Sequence, residues 1–319
     1  MQLMQRGGVA VRGAGRNVLN PQEQRLNICC IINRHAGTAT ELPDLKALFA
    51  QFGTSADIPA LEGRKSIAEC AAEASKNGFD IVVAAGGDGT VNAVASVLAG
   101  TSVPMGVIPS GTLNHFAKDM KIPLSVEEAV KTIVAGRVKS VDVGEVNGKV
   151  FINNSSLGLY PAVVKLREAI QKSGFHKWPS FLRAAWIIFS RFPRLRLEIA
   201  SPTAPSAQAV TPLLFIGNNI YETTLALLGS RNVLDRGKLW VAIPLAKTRL
   251  QLVLALLALV RDRAGASDVS AFEVENLVVN SKRTAVNVAI DGEVLSLQPP
   301  LHYRIRPKAL HVIVPAGSP

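Results

Sequence analysis

Ile81-Val82-Val83-Ala84-Ala85-Gly86-Gly87-Asp88-Gly89-Thr90 decides how this chain folds. Five apolar residues in a row read as a buried strand. The glycines form a tight turn, and Val91 to Leu98 reads as the helix beyond it. Glycine at such a junction lets backbone N–H groups approach phosphate oxygens with no Cβ in the way. The positive end of the following helix points at the same place. Asp88 repels phosphate, so its presence is better explained by a proton or a metal ion handled beside the phosphate. An ordinary strand-to-helix turn would also accept Gly-Asp-Gly, because Asp-Gly pairs tolerate positive φ. The stretch is not Gly-x-Gly-x-x-Gly, and it lacks the Lys-Ser/Thr ending of a P-loop.

Outward from this turn, strands and helices alternate. Leu26 to Asn33 reads as a strand, Leu42 to Phe52 as a helix, and Thr54 to Ile58 as a short strand. Arg64 to Lys76 carries Ile67, Cys70, Ala71 and Ala74 at helical spacing. Pro104 to Ile108 is a further strand, running into Pro109-Ser110-Gly111-Thr112-Leu113-Asn114 and a short helix through Met120. Ser125 caps a helix to Ala135. Such alternation predicts a parallel sheet with helices on both faces. Ligands of such sheets sit at the carboxyl ends of the strands, where both glycine turns fall.

From about Val138 the pattern becomes β-rich. Val138 to Val146 and Val150 to Ser156 flank the hairpin signal Asn147-Gly148. Strands follow at Arg194 to Ala200, Ala209 to Gly217, Lys238 to Ile243, Ala271 to Val279, Ala285 to Ile290, Leu301 to Arg306 and Leu310 to Val314. The expected division is a basic tail over 1–25, an α/β domain over 26–137, and a β-rich domain of two packed sheets over 138–319. The last strand is free to return to the first domain. Two helical stretches interrupt the β-rich half. Pro161 to Arg191 interleaves Trp178 and Trp186 with basic residues, which suits a lipid headgroup boundary. Lys247 to Arg263 has an apolar core far shorter than the ~20 residues that span a bilayer.

Composition narrows the partners. The chain has 319 residues, 48% of them hydrophobic, and a formal charge of +11. That balance favours anionic partners such as a nucleotide or a membrane face. Only 5% of residues are aromatic and there is no zinc-finger spacing, so nucleic acid is not expected. Cys29, Cys30 and Cys70 include no Cys-x-x-Cys, which reads as core residues in a reducing compartment without a structural metal. His35, His176, His302 and His311 show no ligand spacing.

Taken in order, these motifs resemble the diacylglycerol kinase catalytic-domain family, which includes sphingosine kinases and soluble bacterial lipid kinases and is distantly similar to NAD kinases and phosphofructokinases. Asn33-Arg34-His35-Ala36-Gly37 stands where the family has an Asn-Pro-x-Ser/Ala-Gly loop. Gly86 to Thr90 with Asn92 matches Gly-Gly-Asp-Gly-Thr-x-Asn. Pro109 to Ala117 matches Pro-x-Gly-Thr-x-Asn-Asp-Phe-Ala, with His115 in place of the usual aspartate. Asn153 to Gly158, Leu234 to Leu239, Asp291-Gly292-Glu293 and the closing strand Pro307 to Pro315 follow in family order.

The resemblance implies an N-terminal Rossmann-like nucleotide domain, a C-terminal β-sandwich and a cleft between them, as in NAD kinase and phosphofructokinase. It implies ATP and Mg²⁺, with phosphates held by Gly86, Gly87, Gly89, Thr90 and Asn92. Gly111, Thr112 and Asn114 would form a second cradle, and Asn33 would complete the pocket. The acceptor would be a hydroxyl of diacylglycerol or a related lipid at a membrane surface, approached from the cytoplasm by a peripherally associated protein, with a homodimer compatible. The resemblance favours Glu293 as the proton acceptor and Asp88 as the residue organising Mg²⁺ and phosphate, with the opposite assignment open. Several bacterial relatives place a structural Mg²⁺ on the aspartate before the glycine of Leu-Asp-Asp-Gly. Here that position is Arg236, which cannot ligate a cation, and Asp235 lies one residue early. The competing readings are an NAD kinase-like enzyme of soluble metabolites, and an inactive nucleotide-responsive membrane-binding protein.

Overall fold

The computed structural model describes residues 26–33, 42–59, 66–159, 195–202, 204–221, 231, 233–244, 248, 251 and 269–317. The expected basic tail, the Trp178/Trp186 stretch, the 247–263 segment apart from Thr248 and Gln251, His35 and His176 lie outside the described residues.

Four parallel strands begin the fold: β1 (Asn27–Ile32), β2 (Ser55–Asp57), β3 (Ile81–Gly86) and β4 (Met105–Pro109). Their spatial order is β2-β1-β3-β4. Helices α1 (Leu45–Gln51), α2 (Ile67–Lys76), α3 (Asp88–Leu98) and α5 (Val126–Ala135) pack on the two faces, and the single turn α4 (His115–Asp119) follows β4. The period-2 alternation of a strand explains both cores. Cys29 and Ile31 join α2 and α3 residues such as Cys70, Ala71, Val94 and Leu98 on one face. Ile28 and Cys30 join Leu45, Phe49, Val130 and Ile133 on the other. The three thiols are free and buried, and burial pushes Cys29 up to about 11. Ser66 closes a capping box with Glu69 at the start of α2.

The β-rich half begins at β5 (Arg137–Val146), β6 (Lys149–Phe151) and β7 (Asn154–Gly158). It continues through β8 (Leu195–Ser201), β9 (Ala204–Thr211), β10 (Leu213–Asn218) and β11 (Leu239–Pro244). The last strands are β12 (Val269–Val274), β13 (Asn276–Ser281), β14 (Val286–Ile290), β15 (Glu293–Leu297) and β16 (Leu301–Val314). A six-stranded antiparallel sheet has the order β12-β11-β10-β7-β14-β15. Its inner face packs on β8, β13 and β16, with Leu157, Ile216, Val241 and Val288 against Leu197, Val279 and Tyr303. This is the sandwich.

β16 joins the halves. Its first part pairs antiparallel with β13, and Val312 pairs parallel with Met105 of β4. β5 runs along nearly all of it, with a register shift between Arg306 and Leu310. The sequence reading split β16 in two at that bulge, where Pro307 and Lys308 interrupt the alternation. The sequence pattern also runs β9 into β10 and β12 into β13, because a single intervening residue, Pro212 in one case and Glu275 in the other, does not announce a new strand. β15 was missed, since only its short Val-Leu-Ser-Leu remainder follows the turn.

Candidate functional site

The strand order reverses at β1. From there the chain goes first to β2 on one side and later to β3 on the other, so the crevice beyond the carboxyl ends of β1 and β3 is the switch point where such sheets hold ligands. Asn33 follows β1 there, and its Nδ2 donates to Thr90 Oγ1 at 3.2 Å. The Asn33 backbone N–H donates to the Ala85 carbonyl. A Cβ on Gly86 would collide with the Thr90 side chain, which is 2% exposed, so glycine is what lets Thr90 fold back over the strand end. α3 starts at Asp88 rather than at Val91, and the Thr90 and Val91 amides both close on the Gly87 carbonyl. The glycine stretch is therefore the first helical turn itself. Gly89 is exposed with open space around its α-carbon. Asn92 Oδ1 is buried with no hydrogen-bond partner among the described residues, an amide end available to a ligand.

The second glycine loop lies directly against the first. A Cβ on Gly87 would stand 3.3 Å from the Gly111 α-carbon. The Ser110 amide donates to the Gly86 carbonyl. Asn114, in the left-handed region at φ 50°, ties the loop into a ring: its Oδ1 accepts from the Gly111 amide at 2.9 Å and its Nδ2 donates to the Gly111 carbonyl at 2.8 Å. Thr112 and Leu113 are exposed at its rim. Asp88 leans across to this second loop, where its Oδ1 accepts a long bond of 3.4 Å from the Phe116 amide at the start of α4.

Asp291 and Gly292 have φ of 46° and 87°, so the late Asp-Gly is a two-residue hairpin turn between β14 and β15. The turn is also an anchor. The Asp291 carboxylate accepts backbone N–H bonds from Ile152 at 2.8 Å, Asn153 at 2.9 Å and Asn154 at 2.8 Å. The residue as a whole is partly buried, and its carboxylate is enclosed. Burial pushes that carboxylate up to about 6, against the three N–H donors and the Arg231 charge. Glu293, two residues on, is exposed and has no partner among the described residues.

Sequence reasoning missed the group that connects these parts. Arg231 is 1% exposed. Its Nε donates to Asp119 Oδ2 at 2.8 Å and its backbone N–H donates to Asp119 Oδ1 at 3.2 Å. One terminal nitrogen donates to the carbonyls of Ile152 at 2.7 Å and Asn218 at 3.0 Å, and the other to Asn153 Oδ1 at 2.7 Å. The guanidinium carbon lies 5.3 Å from the Tyr221 ring centroid. The Tyr221 hydroxyl donates to the Asn153 carbonyl at 2.9 Å, and burial pushes that hydroxyl up to about 12. Nothing in Gly-Ser-Arg-Asn distinguishes Arg231 from a surface arginine. Asp142, 1% exposed, was also passed over; it accepts from the Gly237 and Lys308 amides.

Asp235 is exposed, and the Arg236 amide donates to Asn219 Oδ1. Among the described residues no group of three or more His, Cys, Asp or Glu side chains is arranged to hold a metal ion. Asp88, with one carboxylate oxygen uncommitted among the described residues, is the carboxylate beside the cradle. That donor set fits a Mg²⁺ which takes its remaining ligands from phosphate and water. Among the described residues no helix is long and apolar enough to cross a membrane.

Residues 27–146 match the model of the diacylglycerol kinase catalytic domain. The "Probable lipid kinase YegS-like" protein of Pseudomonas syringae pv. syringae (strain B728a) is 32% identical over 264 residues, covering 77% of this chain and 80% of that protein. The "Diacylglycerol kinase" of Bacillus subtilis (strain 168) is 39% identical over 108 residues, covering 33% of this chain and 36% of that protein. The chain thus spans about a third of the length of the Bacillus subtilis relative and its staphylococcal counterpart, in the latter 39%. A crystal structure of a candidate diacylglycerol kinase from Bacillus anthracis str. Sterne superposes with a TM-score of 0.71 at 20% identity, covering 94% of this chain and 99% of that one. At that identity the superposition speaks for the fold.

Proposed function

Because the chain belongs to the diacylglycerol kinase catalytic-domain family, we propose that it is an ATP-dependent lipid kinase that phosphorylates a hydroxyl of diacylglycerol or a related membrane lipid. The observation that carries the reading is the contact of Gly87 with Gly111 at the tips of β3 and β4, beside the β1/β3 switch point. Two glycine loops held backbone to backbone offer amides from both sides to one polyphosphate. Phosphoryl transfer asks mainly for such positioning and charge neutralisation.

In this reading Gly86, Gly87, Gly89 and Thr90 hold the phosphates through the first turn of α3, with Asn92 inside it. Gly111, Thr112 and Asn114 close the pocket from β4, and Asn33 fixes Thr90. Asp88 would hold Mg²⁺, which when bound neutralises charge on the transferring phosphoryl oxygens. Glu293 accepts the proton of the acceptor hydroxyl as that oxygen forms its bond to phosphorus and the bridging oxygen departs with ADP. Two features favour this division of roles. Asp88 opens the first turn of α3 inside the glycine cradle, with one carboxylate oxygen already facing the Phe116 amide. Glu293 is uncommitted, on a turn anchored by Asp291.

A lipid acceptor brings this cleft to a bilayer. The formal charge of +11 favours anionic headgroups, and Leu113, 44% exposed on the second loop, supplies an apolar contact there. The test is to incubate purified protein with radiolabelled ATP and lipid extract, with NAD as a competing acceptor, and to identify products by mass spectrometry. A lipid that gains one phosphate is the expected product. Label on NAD, or on no acceptor, would overturn the reading.

A further inference from the structure

We infer that Arg231 is a positioning residue for phosphoryl transfer, holding α4 and the second glycine loop in register with the strand pair that carries Glu293. The inference rests on the lipid kinase reading, but its geometry stands independently. On one side Arg231 grips Asp119, the last residue of α4, through Nε at 2.8 Å and through its own backbone N–H. The Phe116 amide at the other end of that single turn donates to Asp88. On the opposite side Arg231 donates to Ile152 O and Asn153 Oδ1, each at 2.7 Å. The same residues, with Asn154, give their amides to the Asp291 carboxylate. A continuous run of bonds therefore leads from Asp88 through α4, Arg231 and the 152–154 backbone to the turn before Glu293.

Only a planar fork with several donors can do this. A lysine keeps the charge beside Asp119 but has three donors on one atom, so it cannot reach the Asp119 carboxylate, the Ile152 and Asn218 carbonyls and Asn153 Oδ1 together. Full burial means that no water can replace the missing bonds. The two carboxylates would remain, each on its own element, with the distance between those elements less fixed. Transfer rates fall steeply when reacting groups are misplaced by as little as about 1 Å.

The experiment compares wild type, Arg231→Lys, Glu293→Gln and the double variant, using diacylglycerol in mixed micelles. Asp119→Asn replaces Arg231→Lys should the latter fail to fold. Arg231→Lys is expected to lower kcat about 10²-fold, with KM for ATP and lipid nearly unchanged. In the Glu293→Gln background the same change should cost less than about twofold, because the base it positions is already gone. An equal loss in both backgrounds, or a change in KM alone, overturns the proposal. Amide hydrogen exchange supplies a readout independent of turnover. The amides of Phe116 and of Ile152 to Asn154 should speed up together in Arg231→Lys, by at least about tenfold. Faster exchange at only one of the two clusters overturns the coupling. Absence of lipid phosphorylation by wild type removes the kinase reading and leaves exchange to decide the role of Arg231.

Discussion

Gly87 and Gly111 meet backbone to backbone at the tips of β3 and β4: a methyl group on Gly111 would stand 2.5 Å from the Gly87 α-carbon. The nearest atom is backbone, and the next, Asn114 Oδ1 at 2.9 Å, belongs to an amide held by two hydrogen bonds to Gly111, so the loops themselves must separate to admit it. Gly111→Ala should therefore cost about 1–3 kcal/mol of stability, as overpacking does, and weaken binding of a non-hydrolysable ATP analogue. Gly89→Ala, with nothing within 4 Å of the added carbon, should stay within about 0.5 kcal/mol. Thermal unfolding of both variants, with and without the analogue, separates crowding between loops from a general intolerance of side chains.

Glu293 and Asp88 should fail differently. Glu293→Gln removes the proton acceptor from an exposed site, so kcat should fall by roughly 10²–10⁴ with nucleotide affinity and unfolding temperature unchanged. Asp88→Asn should lower kcat and also raise the Mg²⁺ concentration needed for half-maximal rate. Steady-state kinetics across a Mg²⁺ titration distinguish the two. The roles are reversed if Asp88→Asn leaves the Mg²⁺ requirement alone and Glu293→Gln shifts it.

The two glycine loops were legible because glycine is informative wherever backbone must approach backbone. Gly86 before Thr90 and Gly111 beside Gly87 are such places, and each falls just after an apolar run that could only be a strand. Asp291-Gly292 was legible twice, as a turn and as a motif, and it is a turn whose aspartate anchors a neighbouring strand. Arg231 was not legible. Its partners Asp119, Ile152, Asn153 and Asn218 are far apart in the chain, and no periodicity links them. Buried charge is a property of tertiary packing, and a single arginine in a polar stretch carries no local mark of it.

Asp291 gives the protein a pH-dependent stability with a definite sign. Its carboxyl lies at about 6 in the folded chain against 3.8 as the ordinary value. The folded state thus holds the proton more tightly than the unfolded one. The contribution is fully present below pH ~4 and is lost as pH rises through ~6, on the order of 3 kcal/mol over that window. Urea denaturation at intervals from pH 4 to pH 7 should show wild type losing stability relative to Asp291→Asn, whose side chain cannot ionise. A wild type that gains stability on the variant as pH rises would mean the three backbone donors and Arg231 outweigh burial.

Docking at a bilayer should depend on ionic strength. With a formal charge of +11, attraction to an anionic surface is long-ranged only while the screening length is long, roughly 30 Å at 0.01 M salt and 8 Å at 0.15 M. Co-sedimentation with phosphatidylserine-containing vesicles should fall as salt is raised, and neutral vesicles should bind weakly throughout. Equal binding to both vesicle types would assign docking to apolar contacts instead.

The Arg231–Asp119 pair sets the last expectation. Its side chains are 0% and 6% exposed, and the charges lie 2.8 Å apart. Burying both ions costs several kcal/mol each before their attraction is counted. The pair as a whole therefore adds little net stability, but removing one member leaves the other enclosed without a counter-charge. Arg231→Met should cost about 3–5 kcal/mol, and Asp119→Leu a comparable amount, since each strands a buried charge. The double variant should recover most of that loss, because no charge remains unpaired. Ile152 O, Asn218 O and Asn153 Oδ1 would still lack the donor that Arg231 supplies, so recovery falls short of wild type. Urea midpoints for the four proteins, with slopes checked for constancy, give the coupling directly. Additive losses in the double variant would mean the two side chains act on stability through separate contacts rather than through each other.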